Sequence, residues 1–104
     1  GYAPERLAIA GDSAGGGLAI ATALRLRELG VPLPAALVTF SPLVDLGEAE
    51  RGPVPPGEVM VTPAWSAACV RLYLAGHDAH NALASPIHAE LGGLPPTLVQ
   101  VGTD

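Results

Sequence analysis

Arg6-Leu7-Ala8-Ile9-Ala10-Gly11-Asp12-Ser13-Ala14-Gly15-Gly16-Gly17 is the stretch whose reading decides the fold. Arg6 to Ala10 is a short apolar run that stops at Gly11, the pattern of a strand buried in a parallel sheet. Ala14 to Leu29 consists mostly of helix formers, nearly apolar all round until Arg25, Arg27 and Glu28 gather in the last turns. It predicts a helix buried along most of its length. Gly30 supplies the residue after the helix end and Pro32 forbids continuation. A strand therefore turns sharply at Ser13 into a buried helix.

Further along, Ala35 to Phe40 predicts a second buried strand, ended by Ser41-Pro42. A strand, a helix and a strand joined by a crossover of this length imply parallel strands connected right-handedly, and doubly wound α/β is the natural class. Val44 to Val61 is rich in Pro, Gly and Glu, the marks of a long surface loop or a mobile flap. Thr62-Pro63 reads as an N-cap with Pro at the first helical position, opening a helix that runs to about Ala75 and is closed by Gly76. His77 to Pro96 is irregular, and Thr97 to Val101 predicts a third strand. Three strands and two helices are too few to cover both faces of a parallel sheet. No internal repeat is present.

Composition points the same way. Charged residues make up 14% of the 104, against about 25% in ordinary globular domains. Surface is where charge belongs, so the expectation is a slice of a larger core. Apolar residues reach 49% without a run near the ~20 that a membrane span needs. The net charge is −5, lysine is absent, and the five arginines, Arg6, Arg25, Arg27, Arg51 and Arg71, are scattered. They offer no stripe for nucleic-acid phosphates. Cys69 is the single cysteine; no internal disulfide or zinc cluster follows, and its apolar helical setting predicts inert packing. The first residues carry no signal-peptide pattern, which leaves localisation open.

Gly-x-Ser-x-Gly between a strand and a helix has a chemical meaning. A serine hydroxyl is a poor nucleophile until a base takes its proton, and acyl transfer needs donors aimed at the oxyanion that forms. The turn holds the serine in a strained conformation clear of the sheet, and the flanking glycines leave room for close chain approach. The next backbone N–H faces the oxyanion at the helix N-terminus, where the dipole favours negative charge. Ser13 is thus the candidate nucleophile and Ala14 the candidate oxyanion-hole donor. A chain with 13 glycines could meet the pattern by chance, but the strand before and the helix after argue against it. Gly16 and Gly17 read only as allowing close packing.

Gly11-Asp12-Ser13-Ala14-Gly15-Gly16-Gly17, followed in order by Ser41-Pro42-Leu43-Val44-Asp45-Leu46, Ser85-Pro86 and Leu94-Pro95-Pro96, resembles the hormone-sensitive-lipase family of α/β-hydrolases, especially its bacterial esterases. The resemblance covers essentially the whole chain. It implies a partial α/β-hydrolase fold, with residues 1–104 forming the central to C-terminal part of one incomplete domain. It further implies a serine carboxylesterase or lipase acting on small esters of short- to medium-chain acids, with a Ser, Asp or Glu, and His triad and no metal or organic cofactor. The family's His-Gly-Gly oxyanion motif and its triad histidine are not among these residues, so the segment alone is expected to be inactive.

The family places the acid on the loop after the strand that follows Leu-Pro-Pro, which makes Asp104 the visible candidate; the usual spacing puts the acid one residue later. Asp45 is a further alternative, against its reading as a turn residue. His77, His80 and His88 precede the third strand and read as exposed loop residues, because the triad order of this fold is Ser, acid, His. His77-Asp78-x-His80 lacks a further ligand at metal-site spacing. Asp12 can hydrogen-bond neighbouring loops or its own turn. Trp65 and Tyr73 read as packing, with lining of the acyl pocket as the alternative. A thioesterase or peptidase of the same fold, or a non-catalytic ligand-binding protein on it, are the other functions compatible with the motif.

Overall fold

A computed structural model of the chain describes residues 1–47, 56–57 and 59–102. The order is a 3-10 turn at Pro4–Arg6, β1 (Ala8–Asp12), α1 (Ala14–Glu28), β2 (Ala36–Phe40), α2 (Pro63–Leu74), a second 3-10 turn at Pro86–His88, and β3 (Thr97–Gln100). The three strands form one parallel sheet in the order β1-β2-β3. The parallel α/β arrangement expected from the sequence is present, with its three strands and two helices in place.

The first strand starts two residues later than its apolar run predicts. Pro4, with its fixed φ, opens a 3-10 turn that takes in Arg6. β1 instead continues through Gly11 and Asp12, paired with Thr39 and Phe40. α1 ends at Glu28; Leu29 caps it and Gly30, at φ 67°, makes the left-handed exit. Thr62 caps α2 as predicted, its Oγ1 accepting from the Trp65 amide at 3.2 Å. The left-handed exit of α2 falls on Ala75 (φ 48°), with Gly76 following at φ 89°. Replacing Thr62 by alanine should weaken α2 locally by about 1 kcal/mol, seen as faster amide hydrogen exchange in its first turn; unchanged exchange would count against the cap.

Register and burial together show which face is covered. Ile9 lies beside Leu37, and Gly11 beside Thr39. Leu37 and Thr39 are 1% and 0% exposed, beneath the α1 residues Ala19, Ile20, Ala23 and Leu24. The other face carries Ala10, Val38, Phe40 and Leu98, and Phe40 and Leu98 are 43% and 57% exposed. Neither β1 nor β3 contains a buried residue. Strands whose sequences suit burial on both faces are thus covered on one. α2 has no buried residue either, so the expectation that Cys69 and Trp65 are packed is corrected: both are exposed. The helix covers no part of the sheet, and its apolar side chains meet a cavity rather than a core.

Long-range polar bonds fix the loops. Arg27, near the end of α1, donates through Nη1 to the Glu90 and Gly92 carbonyls at 2.7 and 2.6 Å. It thereby holds the turn that leads into Leu94-Pro95-Pro96 and β3, and the Pro96 carbonyl accepts from the Leu37 amide at 2.9 Å. The stretch Val44–Val61, read as a surface loop, is irregular at 44–47, and residues 48–55 and 58 lie outside those described.

Candidate active site

Ser13 occupies the single residue between β1 and α1, at φ 54° and ψ −117°. For a side chain with a Cβ this is costly backbone, held only when its surroundings over-determine it. Here three bonds do so. The Ser13 amide donates to the Phe40 carbonyl at 2.9 Å, extending the β1–β2 ladder, and the Ser13 carbonyl accepts from Leu43 at 2.8 Å and Gly17 at 3.2 Å.

A serine at a helix N-cap ordinarily uses its hydroxyl to accept from an amide of the first turn. Ser13 makes no such bond, and among the described residues its hydroxyl has no partner; the side chain is exposed. The first-turn amides, that of Ala14 first, have no intrahelical acceptor and carry the positive end of the α1 dipole. The arrangement presents a free hydroxyl beside N–H groups suited to an anion.

The glycines divide, and only Gly15 departs from the sequence reading. A Cβ on Gly11 would run into the Gly15 carbonyl and stand 2.7 Å from the Gly16 amide nitrogen, so the strand end and the helix start do need a glycine there. A Cβ on Gly15, expected to be equally confined, meets nothing within 4 Å. Gly16 and Gly17 do allow the close packing expected of them: a Cβ on Gly16 would lie 2.8 Å from Pro42 Cβ, and one on Gly17 would overlap the Leu43 carbonyl. The turn is therefore clasped from the side by Pro42-Leu43, with Ser41 at φ 42° and its amide bonded to the Gln100 carbonyl at 2.7 Å.

Against the start of α1, from Ala14 next to Ser13 onward, lies an apolar cavity of about 240 Å³, walled by Ala14, Gly15, Gly17 and Leu18 of α1, Leu43 and Leu46, Leu83 and Ala84, and Cys69, Val70 and Tyr73 of α2. Of the two α2 aromatics, Tyr73 lines it and Trp65 does not. An apolar cavity of roughly 150 Å³ takes a benzene ring, so this one has room for a short aliphatic chain.

The other candidates divide. Asp45 forms the turn expected of it, with Oδ1 accepting from the Gly47 amide at 2.8 Å. Asp104 lies outside the described residues. His77, His80 and His88 are all exposed. His80 Nδ1 is 3.2 Å from Asp78 Oδ1, and its ring centroid is 5.2 Å from that of His88. The Asp78 carboxyl is held below its usual pKa, first by the His80 backbone N–H and then by the His80 ring. Among the described residues no group of three or more His, Cys, Asp or Glu could hold a metal ion, and no helix is long and apolar enough to cross a membrane.

With this geometry, comparison with known proteins is unambiguous. The alpha/beta hydrolase fold family matches residues 1–104. The solved structure of a hormone-sensitive lipase from a metagenome library is 41% identical, with a TM-score of 0.86 over 97% of this chain and 35% of its own. An esterase from the bacterial hormone-sensitive lipase family is 45% identical, with a TM-score of 0.81 over 99% of this chain and 35% of its own. The chain belongs to the alpha/beta hydrolase fold family, and the solved structures it is similar to include hormone-sensitive-lipase members of that fold. Among curated relatives, an acetyl-hydrolase of Streptomyces hygroscopicus is 45% identical over 100% of this chain, and an esterase of Acinetobacter venetianus is 34% identical over 99%. The chain spans 36% and 35% of the length of these two relatives.

Proposed function

We propose that the protein containing this chain is a carboxylic ester hydrolase in which Ser13 is the nucleophile. The observation that carries this reading is the strained, exposed Ser13 at the head of α1, whose hydroxyl is spent on no cap. The esterase and acetyl-hydrolase names of its relatives support the ester as substrate class.

In the reaction the Ser13 Oγ–H gives its proton to a histidine supplied by the rest of the protein, as Oγ bonds to the acyl carbon. The carbonyl electrons move onto oxygen, where the Ala14 N–H and the α1 dipole stabilise the charge. Collapse breaks the bond to the leaving alcohol, which departs with the proton. A water, deprotonated in turn, then releases the acid from the acyl-Ser13 ester. The acid that orients the histidine falls at or just after Asp104. The apolar cavity at the start of α1 takes the acyl chain, and its volume has room for a short one; acceptance of short- to medium-chain acids is what the family resemblance implies. The chemistry asks for no metal or organic cofactor and no partner beyond a small ester.

Incubating the full-length protein with a fluorophosphonate should add one phosphonyl group, and fragmentation of the digested protein should place it on Ser13. A stoichiometric adduct on another residue, or none, would refute the assignment.

A further inference from the structure

Ser85 is 0% exposed and stands at the N-cap of the 3-10 turn Pro86–His88, yet it does not cap that turn. Its hydroxyl is directed elsewhere: Oγ donates to the Ala79 carbonyl and accepts from the Leu46 amide at 2.8 Å. A hydroxyl has one proton to give, and that proton is committed. The Leu46 side chain is itself buried, so this amide lies where loss of its acceptor is not readily made good by water.

The segment that Ser85 grips is the one that clasps Ser13. Residues 41–47 have no regular secondary structure, and their course depends on individual bonds. At one end the Leu43 amide donates to the Ser13 carbonyl at 2.8 Å. At the other the Leu46 amide is held by Ser85, and between them the Val44 carbonyl accepts from the Ile87 amide at 3.1 Å. Leu43 and Leu46 are also two of the side chains that wall the cavity at the start of α1. One serine far along the chain thus holds Leu46 directly and the segment that carries Leu43 at its far end.

We infer that Ser85 is a positioning residue for ester hydrolysis: by anchoring Leu46 it holds the Leu43–Leu46 wall open beside Ser13 and so sets how well the enzyme takes longer acyl chains. The inference rests on Ser13 being the nucleophile and on the adjoining cavity receiving the acyl group. Without the Ser85 hydroxyl the wall relaxes into the cavity. An acetyl group, which barely enters, is little affected, whereas a longer chain must push the wall back.

The test uses the full-length protein with p-nitrophenyl acetate and p-nitrophenyl hexanoate, rates being normalised to the fraction labelled by a fluorophosphonate. Ser85→Ala should lower kcat/KM for the hexanoate by about tenfold, mainly through KM, and for the acetate by less than about threefold. Ser85→Thr, which retains the hydroxyl, should keep the original ratio of the two esters. Should the alanine variant not fold, Ser85→Cys, with its weaker donor and acceptor, should shift the ratio in the same direction. An unchanged hexanoate-to-acetate ratio in the alanine or cysteine variant, or a threonine variant that behaves like alanine, would overturn the role of Ser85. Absence of the fluorophosphonate adduct from Ser13 in the unsubstituted protein would instead remove the reading on which it rests.

Discussion

Replacing Ser13 by alanine in the full-length protein is expected to lower kcat for p-nitrophenyl butyrate by about 10⁴-fold or more, while stability to urea stays within about 1 kcal/mol. The two halves of this expectation have separate causes. Activity falls because alanine has no atom that can form the acyl-enzyme bond, and water attacking directly from the same pocket recovers only what oxyanion stabilisation and binding supply. Stability holds because the Ser13 hydroxyl contributes no bond to the fold: it caps nothing, and the three bonds that fix the turn all run through the backbone amide and carbonyl. Alanine also inherits the same strained φ of 54° without relieving it. A serine retained for structure would behave oppositely, losing stability with little loss of rate. Activity within tenfold of the unsubstituted protein would sink the assignment.

What the sequence makes legible is local. The strand, turn and helix around Ser13 announce themselves by an apolar run, a glycine and a stretch of helix formers, and the Thr62-Pro63 start of α2 by its capping chemistry; each signal spans a few residues and is read without knowing the rest of the fold. The close packing at Gly16 and Gly17 is a different matter. It depends on Pro42 and Leu43 arriving alongside, and nothing in the run of glycines says which of them will meet a neighbour. The Ser85–Leu46 and Arg27–Glu90 bonds join residues far apart in the chain, and a serine or arginine in a polar stretch looks the same whether or not it is so engaged. The Ser41 to Leu46 and Ser85-Pro86 motifs stood out through resemblance alone. Their physical content, a loop pinned at one end to Ser13 and at the other to Ser85, exists only in the folded chain. That three strands and two helices leave part of the sheet uncovered was legible from their number; that α2 lies over neither face, leaving Cys69 and Trp65 exposed, was not.

Gly17→Ala should cost about 3 kcal/mol or more in urea unfolding and slow fluorophosphonate labelling of Ser13, whereas Gly15→Ala, two residues earlier in the same run, should be neutral or stabilising by up to about 1 kcal/mol. Both residues lie in the first turn of α1, so alanine improves helix propensity equally at each; the difference comes from what the new methyl meets. At Gly15 it meets nothing within 4 Å, while at Gly17 it coincides with the Leu43 carbonyl, which belongs to backbone and cannot rotate away. Residues 42–44 must move as a unit. That movement pulls the Leu43 amide from the Ser13 carbonyl, a bond of 2.8 Å, and removes one of the three restraints that keep Ser13 in its strained conformation. Stability and reactivity should therefore fall together at Gly17, in contrast to their separation at Ser13. Equal stability of the two glycine variants would mean that the Pro42-Leu43 clasp does not press on α1. A Gly17 variant that unfolds easily yet labels at the original rate would mean that the clasp holds the fold but not the serine.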